Sequence, residues 1–334
     1  MIPPASGPRA ARAAQSETRS TAAMATGEAF TEERARTVLA AATGTDSGDG
    51  RDSGDGPGSG GSGDGAAGAA QLLSLGENAV FALGERVVRI GRDASLLPRA
   101  ERELGVATWL EEQKVPAVRA ADPRARLVDG HPVTFWQRLP PAVRKADAED
   151  LAGLLRLVHA LPEPPVRLPP RNLLDGVERW LRLAGDTVPP EDAAFLRARR
   201  DDITAALPGL VPQLPPGPVH GDALPRNVHV TAEGPLLVDL ETFSSDLREH
   251  DLVVMALSLD RYGLPEAEYT AFCRTYGWDV REWEGCALLR AARETASCAW
   301  VAQHAPGNPA ARAEFLRRVA SLRDADPTVR WRPF

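Results

Sequence analysis

Residues 219–241 hold the side chains best suited to chemistry. They run Val219-His220-Gly221-Asp222-Ala223-Leu224-Pro225-Arg226-Asn227-Val228-His229-Val230, then Thr231-Ala232-Glu233-Gly234, then Pro235-Leu236-Leu237-Val238-Asp239-Leu240-Glu241. Two short apolar runs flank a glycine-containing turn, the pattern of a β-hairpin. With the turn centred near Glu233, Asn227 and Asp239 each lie six residues from it and face one another across the ladder. Opposed Cβ atoms are about 4.5–5.5 Å apart, close enough for both side chains to reach one cation. A carboxamide oxygen and a carboxylate are hard ligands that suit Mg2+, which keeps waters and phosphate oxygens in its other positions. Asp222 stands five residues before Asn227, in the loop entering the hairpin. A carboxylate there can take the proton of a hydroxyl beside a metal-bound phosphate. Phosphoryl transfer needs that division of work: a positioned base on the alcohol and cations on the developing phosphate charge. A lone loop Asp is usually a cap or turn former, but the spacings and the hairpin symmetry must be explained together.

The elements around this segment fall into two kinds. Upstream, Leu72-Leu73 and Ala79-Val80-Phe81 flank Gly76-Glu77-Asn78, and Arg86 to Ile90 follow a Gly84-Glu85 turn; consecutive antiparallel strands are expected. Leu104, Ala107 and Leu110 recur at helical spacing within residues 98–113. Residues 125–128 and 133–136 form another strand pair around Asp129-Gly130. After Pro140-Pro141 the pattern is helical: residues 150–161, 172–183, 190–207, 250–262, 265–276 and 283–305. The expected organisation is a disordered leader over 1–29, a helix over 30–42 begun by Thr31-Glu32-Glu33, and a Gly/Ser/Asp-rich tether over 43–70. A small sheet-bearing half over 71–139 and a mostly helical half over 140–334 complete it.

His-Gly-Asp, four residues, Asn, then hydrophobic-Asp-x-Glu resembles the signature of the aminoglycoside phosphotransferase-like (choline kinase) branch of the protein-kinase superfamily. The resemblance covers most of residues 30–334 apart from the tether. It implies an α+β, bilobal protein-kinase-like fold with ATP in the cleft between the lobes. By matching position, Asp222 is the catalytic base, Asn227 and Asp239 are the Mg2+ ligands, and His220 braces the catalytic loop. Leu75-Gly76-Glu77-Asn78-Ala79-Val80-Phe81 resembles the family's nucleotide loop, with Gly76 and Asn78 in it. Val88-Arg89-Ile90 resembles the strand whose basic residue holds the α- and β-phosphates, with Arg in place of the usual Lys. Arg102-Glu103 resembles the start of the helix supplying the acidic partner. Helical phase alone leaves Glu101 open beside Glu103, and Arg89 alone reads equally well as an edge-strand charge. Phe135-Trp136-Gln137-Arg138-Leu139 falls where the halves join, so Gln137 and Leu139 are candidates for holding adenine through a hinge.

The reaction implied is transfer of the γ-phosphoryl group of ATP to a hydroxyl of a small molecule, an aminoglycoside or another polyol or amino alcohol. Asp246, Glu249, Glu266, Glu268 and Glu294 are candidates to attract a cationic acceptor, with solvated surface acids as the equal alternative. Two rivals are a kinase of Ser or Thr in a peptide or protein and a weakly active nucleotide-binding partner protein. Asp251 reads as a helix N-cap and His159 as a hydrogen-bonded helix residue. Composition narrows the field further. A chain of 334 residues with 43% apolar side chains can build a packed core. A net charge of −7 without a basic block argues against nucleic acid as a partner. No apolar run is long enough for a membrane span, and Cys273, Cys286 and Cys298 are too few for a disulfide framework, so a cytoplasmic protein is expected.

Overall fold

The computed structural model describes residues 30–44 and 70–334. The leader over 1–29 and nearly all of the tether lie outside the described residues. The chain divides into two compact units: one is formed by Arg124–Arg138 with the described residues up to Leu97, the other by Pro98–Pro123 and Leu139–Phe334.

The first unit is a helix on a sheet. Thr31 Oγ1 accepts the amide of Arg34 at 3.2 Å, and Glu32 and Glu33 put negative charge in the first turn of α1 (Glu32–Gly44). The helix extends two residues beyond the expected end. Ala35, Val38, Leu39 and Ala42 are fully buried on one face. They pack with Ala79, Phe81, Val88, Ile90, Val133 and Phe135 of the sheet, each large side chain contributing about 1.5–3 kcal/mol by leaving water. Ala70, which composition placed in the tether, is 4% exposed, and Arg36 donates to its carbonyl at 3.0 Å. The strands are β1 (Gln71–Leu75), β2 (Asn78–Leu83), β3 (Arg86–Gly91), β4 (Arg126–Val128) and β5 (His131–Gln137), all antiparallel in the order β1-β2-β3-β5-β4. Asp129 at φ 50° and Gly130 at φ 80° give the β4–β5 turn two left-handed residues, which matches the twist of a two-residue hairpin.

The second unit is mostly helical. It holds α2 (Leu97–Glu112) from Pro98 onward, α3 (Ala148–His159), α4 (Val177–Ala184), α5 (Pro190–Ala206), α6 (Glu249–Tyr262), α7 (Glu266–Tyr276), α8 (Cys286–Ala302) and α9 (Pro309–Arg323). A reciprocal cap starts α3: Asp147 Oδ1 accepts the amide of Asp150 and Asp150 Oδ2 that of Asp147, both at 3.0 Å. α9 is absent from the sequence expectations for a physical reason. Its buried face mixes Phe315, Val319 and Leu322 with the ion pair of Glu314 and Arg318 (2.8 Å), which dilutes the apolar period. Two short strand pairs frame the segment 219–241: β6 (Gly217–Val219) with β9 (Ser244–Asp246), and β7 (Val228–Thr231) with β8 (Gly234–Leu237). The β6–β9 pair was not expected. Among the described residues no helix is long and apolar enough to cross a membrane.

Candidate active site

The hairpin forms, but its register differs from the expected one. Val228 pairs with Leu237 and Thr231 with Gly234, so the turn is Ala232-Glu233 and Asn227 stands opposite Val238, whose amide donates to Asn227 O at 3.0 Å. Asp239 therefore does not face Asn227 across the ladder. A one-residue shift on a strand sends the side chain to the other face. Here the chain leaves the strand instead, with Asp239 at φ 61°, ψ 59°. That left-handed conformation costs an ordinary residue about 1 kcal/mol and is tolerated best by Gly, Asn and Asp. Asn227 closes a short 3-10 turn, Pro225–Asn227.

His220 ties the two sides of this arrangement together. It is fully buried, its Nδ1 accepts the amide of Asp222 at 3.4 Å, and its Nε2 lies 3.1 Å from Val238 O. These partners assign the ring proton to Nε2, which donates to Val238 O. Val238 is thus held by both Asn227 and His220, and Asp239 follows it directly. Thr242 Oγ1 donates to His220 O at 2.8 Å. Gly221 takes φ 85°, and an added Cβ would lie 2.3 Å from Thr242 O, so both backbone conformation and space require glycine there.

Beneath the loop sits Asp251, which does not cap its own helix as expected; Arg248 occupies the cap position. The Asp251 carboxylate is fully buried and accepts the amides of His220 (2.7 Å) and Gly221 (2.8 Å), and it lies 3.1 Å from His159 Nε2. Burial alone would raise its pKa, but the His159 hydrogen bond, with the Gly221 amide, outweighs it and holds the carboxyl at about 2. His159 is the hydrogen-bonded helix residue that was expected, with Tyr276 Oη 2.8 Å from its Nδ1.

Asp222 is three-quarters buried at the mouth of this loop. Asn227 Nδ2 donates to its backbone O at 2.8 Å and its Oδ2 at 3.0 Å, and Arg226 Nη2 reaches Oδ2 at 2.9 Å. Burial raises its pKa, and the charges of Arg226 and Arg293 with the Asn227 hydrogen bond outweigh that, leaving it below the ordinary carboxylate value. With its amide nitrogen committed to Asp222, Asn227 turns its Oδ1 away. Among the described residues neither that oxygen nor the Asp239 carboxylate has a hydrogen-bond partner. An uncommitted amide oxygen and carboxylate fit a hard divalent ion. Among the described residues no group of three or more His, Cys, Asp or Glu can hold a metal, so the remaining ligands would be phosphate oxygens and water.

Arg89 lies on β3 between Val80 of β2 and Thr134 of β5, an interior strand and not an edge. Its guanidinium stands 5.5 Å from the Trp136 ring centroid. Of the two acids left open by helical phase, Glu103 is 6% exposed and Glu101 is exposed. Gly76 donates its amide to Asn78 O at 3.0 Å, and a Cβ there would meet nothing within 4 Å. Gln137 is exposed at the end of β5, and Leu139 is partly buried just beyond it. The acids proposed to attract a cation are mostly committed elsewhere. Glu249 is fully buried and accepts the amides of Gln213 and Leu214, both at 2.8 Å. Glu294, 5% exposed, pairs with Arg261 at 2.7 Å. Asp246 accepts the amides of Arg171 at 2.8 Å and Leu247 at 2.7 Å. Only Glu266 and Glu268 are exposed, on α7.

Comparison with known proteins bears on the family and the fold. The family model described as phosphotransferase enzyme family matches residues 69–289. The chain belongs to that family. None of the curated protein sequences matches it. Among solved structures, a choline/ethanolamine kinase family protein from Mesorhizobium loti is similar at a TM-score of 0.55 and 20% identity, over 78% of this chain and 88% of that one. The amicoumacin kinase hAmiN in complex with AMP-PNP, Ca2+ and Ami is similar at 0.57 and 13% identity, over 79% and 90%. The streptomycin-ATP-APH(2")-IIa ternary complex is similar at 0.52 and 14% identity, over 78% and 93%. At these identities the likeness shows the fold, and this phosphotransferase has the kinase-like one.

Proposed function

We propose that this phosphotransferase moves the γ-phosphoryl group of ATP to a hydroxyl of a small molecule, with Asp222 as the base. One observation carries the reading: a single carboxamide, Asn227, grips Asp222 with its nitrogen and leaves its oxygen, with the Asp239 carboxylate, uncommitted. Asp222 orients the acceptor hydroxyl and receives its proton. His220 and Asp251 keep the loop in place through the amides and carbonyls described above. Bound at Asn227 and Asp239, Mg2+ supplies positive charge to the phosphate oxygens. Arg89 takes the α- and β-phosphates, and Glu103 is the helix acid that the family resemblance assigns to the nucleotide site. Gly76 and Asn78 present backbone to the nucleotide; that Gly76 is not demanded by its own packing supports this. Gln137 and Leu139 flank the adenine.

The test is ADP formation from Mg-ATP with a panel of alcohols. Asp222→Asn removes the proton acceptor but keeps the shape, so turnover should fall by about 10²–10⁴ while AMP-PNP binding persists. Unchanged turnover in that variant would refute the assignment.

A further inference from the structure

The charge around Asp222 bears on what the acceptor is, and the inference drawn from it rests on the phosphotransferase reading above. Of the acids that might have drawn a cation, Glu249 and Glu294 are buried and Asp246 accepts backbone amides, which leaves only Glu266 and Glu268 exposed, on α7. Three guanidinium groups from three separate elements surround the base instead. Arg226 lies in the catalytic loop, Arg171 in the segment before α4, and Arg293 on α8. Arg171 Nε and Arg293 Nη2 donate to the same peptide oxygen, that of Gly221, at 3.0 and 2.9 Å. Two cations are therefore pinned one residue before Asp222.

Their remaining donors are uncommitted. Among the described residues neither Nη atom of Arg171 has a hydrogen-bond partner, and neither has Nη1 of Arg293. The Nε of Arg293 is enclosed without a partner, and so is Nδ1 of His250, a residue 6% exposed whose carbonyl accepts from Arg293 at 3.3 Å. Buried polar atoms in native proteins are nearly always satisfied, and a guanidinium fork left open satisfies itself best on a carboxylate or phosphate, in charge-assisted and often paired hydrogen bonds. The nearby carboxylates do not fill the role, because Asp246 and Asp251 accept backbone amides and Asp222 Oδ2 is shared by Arg226 and Asn227.

We propose that the acceptor is an alcohol carrying an anionic group, a carboxylate or a phosphate ester, which Arg171 and Arg293 hold beside Asp222. The acceptor oxygen bonds to the γ-phosphorus, the bond from that phosphorus to the ADP oxygen breaks, and the hydroxyl proton passes to Asp222. The products are ADP and an acidic phosphomonoester. An acceptor bearing an ammonium group in the same place meets two like charges.

Size-matched acceptors test this: glycerate, glycerol 3-phosphate and serinol, each with Mg-ATP, read as kcat/KM for ADP formation. At least one of the two anions is expected to exceed serinol by tenfold or more, and which one does so separates the carboxylate from the phosphate source. In Arg171→Gln and Arg293→Gln the anion-to-serinol ratio should fall tenfold, chiefly through KM; a ratio is unaffected by the fraction of folded protein. Serinol equal to or better than both anions overturns the inference and leaves the phosphotransferase reading intact. No ADP formation together with no stabilisation by Mg-ATP removes that reading itself. If nucleotide binds but none of the three is used, calorimetry of malonate on the protein loaded with Mg-AMP-PNP decides. Binding that Arg171→Gln abolishes supports the anion subsite, and no binding overturns it.

Discussion

As the proposed base, Asp222 would accept a proton in a strongly cationic place, and its basicity is a balance of named neighbours. Arg226 supplies the largest lowering influence against the effect of burial, and its own side chain is mostly exposed, so it can be removed without opening the core. The base acts only when deprotonated, so activity is lost as pH falls through its pKa. Arg226→Ala takes away a stabiliser of the charged form, which moves that pKa up. The acid limb of the pH profile of kcat/KM should shift to higher pH in this variant, and an unmoved limb would assign the titration to another group. Asp251 is different, because its two oxygens serve two amides of the catalytic loop. In Asp251→Asn only one oxygen can accept, so one buried amide loses its partner at a cost of about 1–3 kcal/mol. Denaturant titration should show that loss, and turnover should fall even where the variant remains folded, since the loop carrying Asp222 loses an anchor.

The β6 loop and the β7–β8 hairpin act as one device, and glycine is the joint between them. Gly221→Ala would combine a left-handed backbone with a Cβ 2.3 Å from Thr242 O. A destabilisation of about 2–4 kcal/mol and loss of activity are expected, from strain of about 1–2 kcal/mol plus displacement of the Thr242 backbone. A variant with wild-type melting temperature and turnover would contradict the geometry. The grouping of Asp222 with Asn227 was legible because the two lie five residues apart in one loop. The register was not, since Thr231-Ala232-Glu233-Gly234 permits more than one turn and a shift of one residue reverses every face. Nor does a sequence announce that Asp239 will adopt a left-handed conformation. Asp251 was visible only as a helix N-cap, because the amides it serves lie 31 and 30 residues away along the chain. The acids on α6 and α8 were misjudged for a related reason: charge is written in the sequence, but burial of Glu249 and Glu294 is decided by packing.

For the whole molecule the buried cluster beneath the catalytic loop links stability to pH. His250 is 6% exposed and faces Arg293 from α8, Arg171 from the segment before α4, Asp246 from β9 and Asp251 from its own helix. Burial and the Arg293 charge lower its pKa to about 4, against an ordinary 6.5, and the two aspartates only partly oppose this. Between those values the unfolded chain binds a proton that the folded chain refuses. The contribution is therefore fully present above pH 6.5 and is lost as pH falls toward 4, with an upper bound of about 3 kcal/mol for one such group. Asp251, held at about 2, retains its contribution over that range and gives it up only below the unfolded carboxylate value. Denaturant titrations between pH 7 and 4.5 should show unfolding free energy decreasing as the solution is acidified. In His250→Gln the curve should be flatter by about one proton, whatever the variant's absolute stability. A wild-type slope in that variant would place the proton uptake elsewhere, with His304, also lowered by burial, the next group to replace.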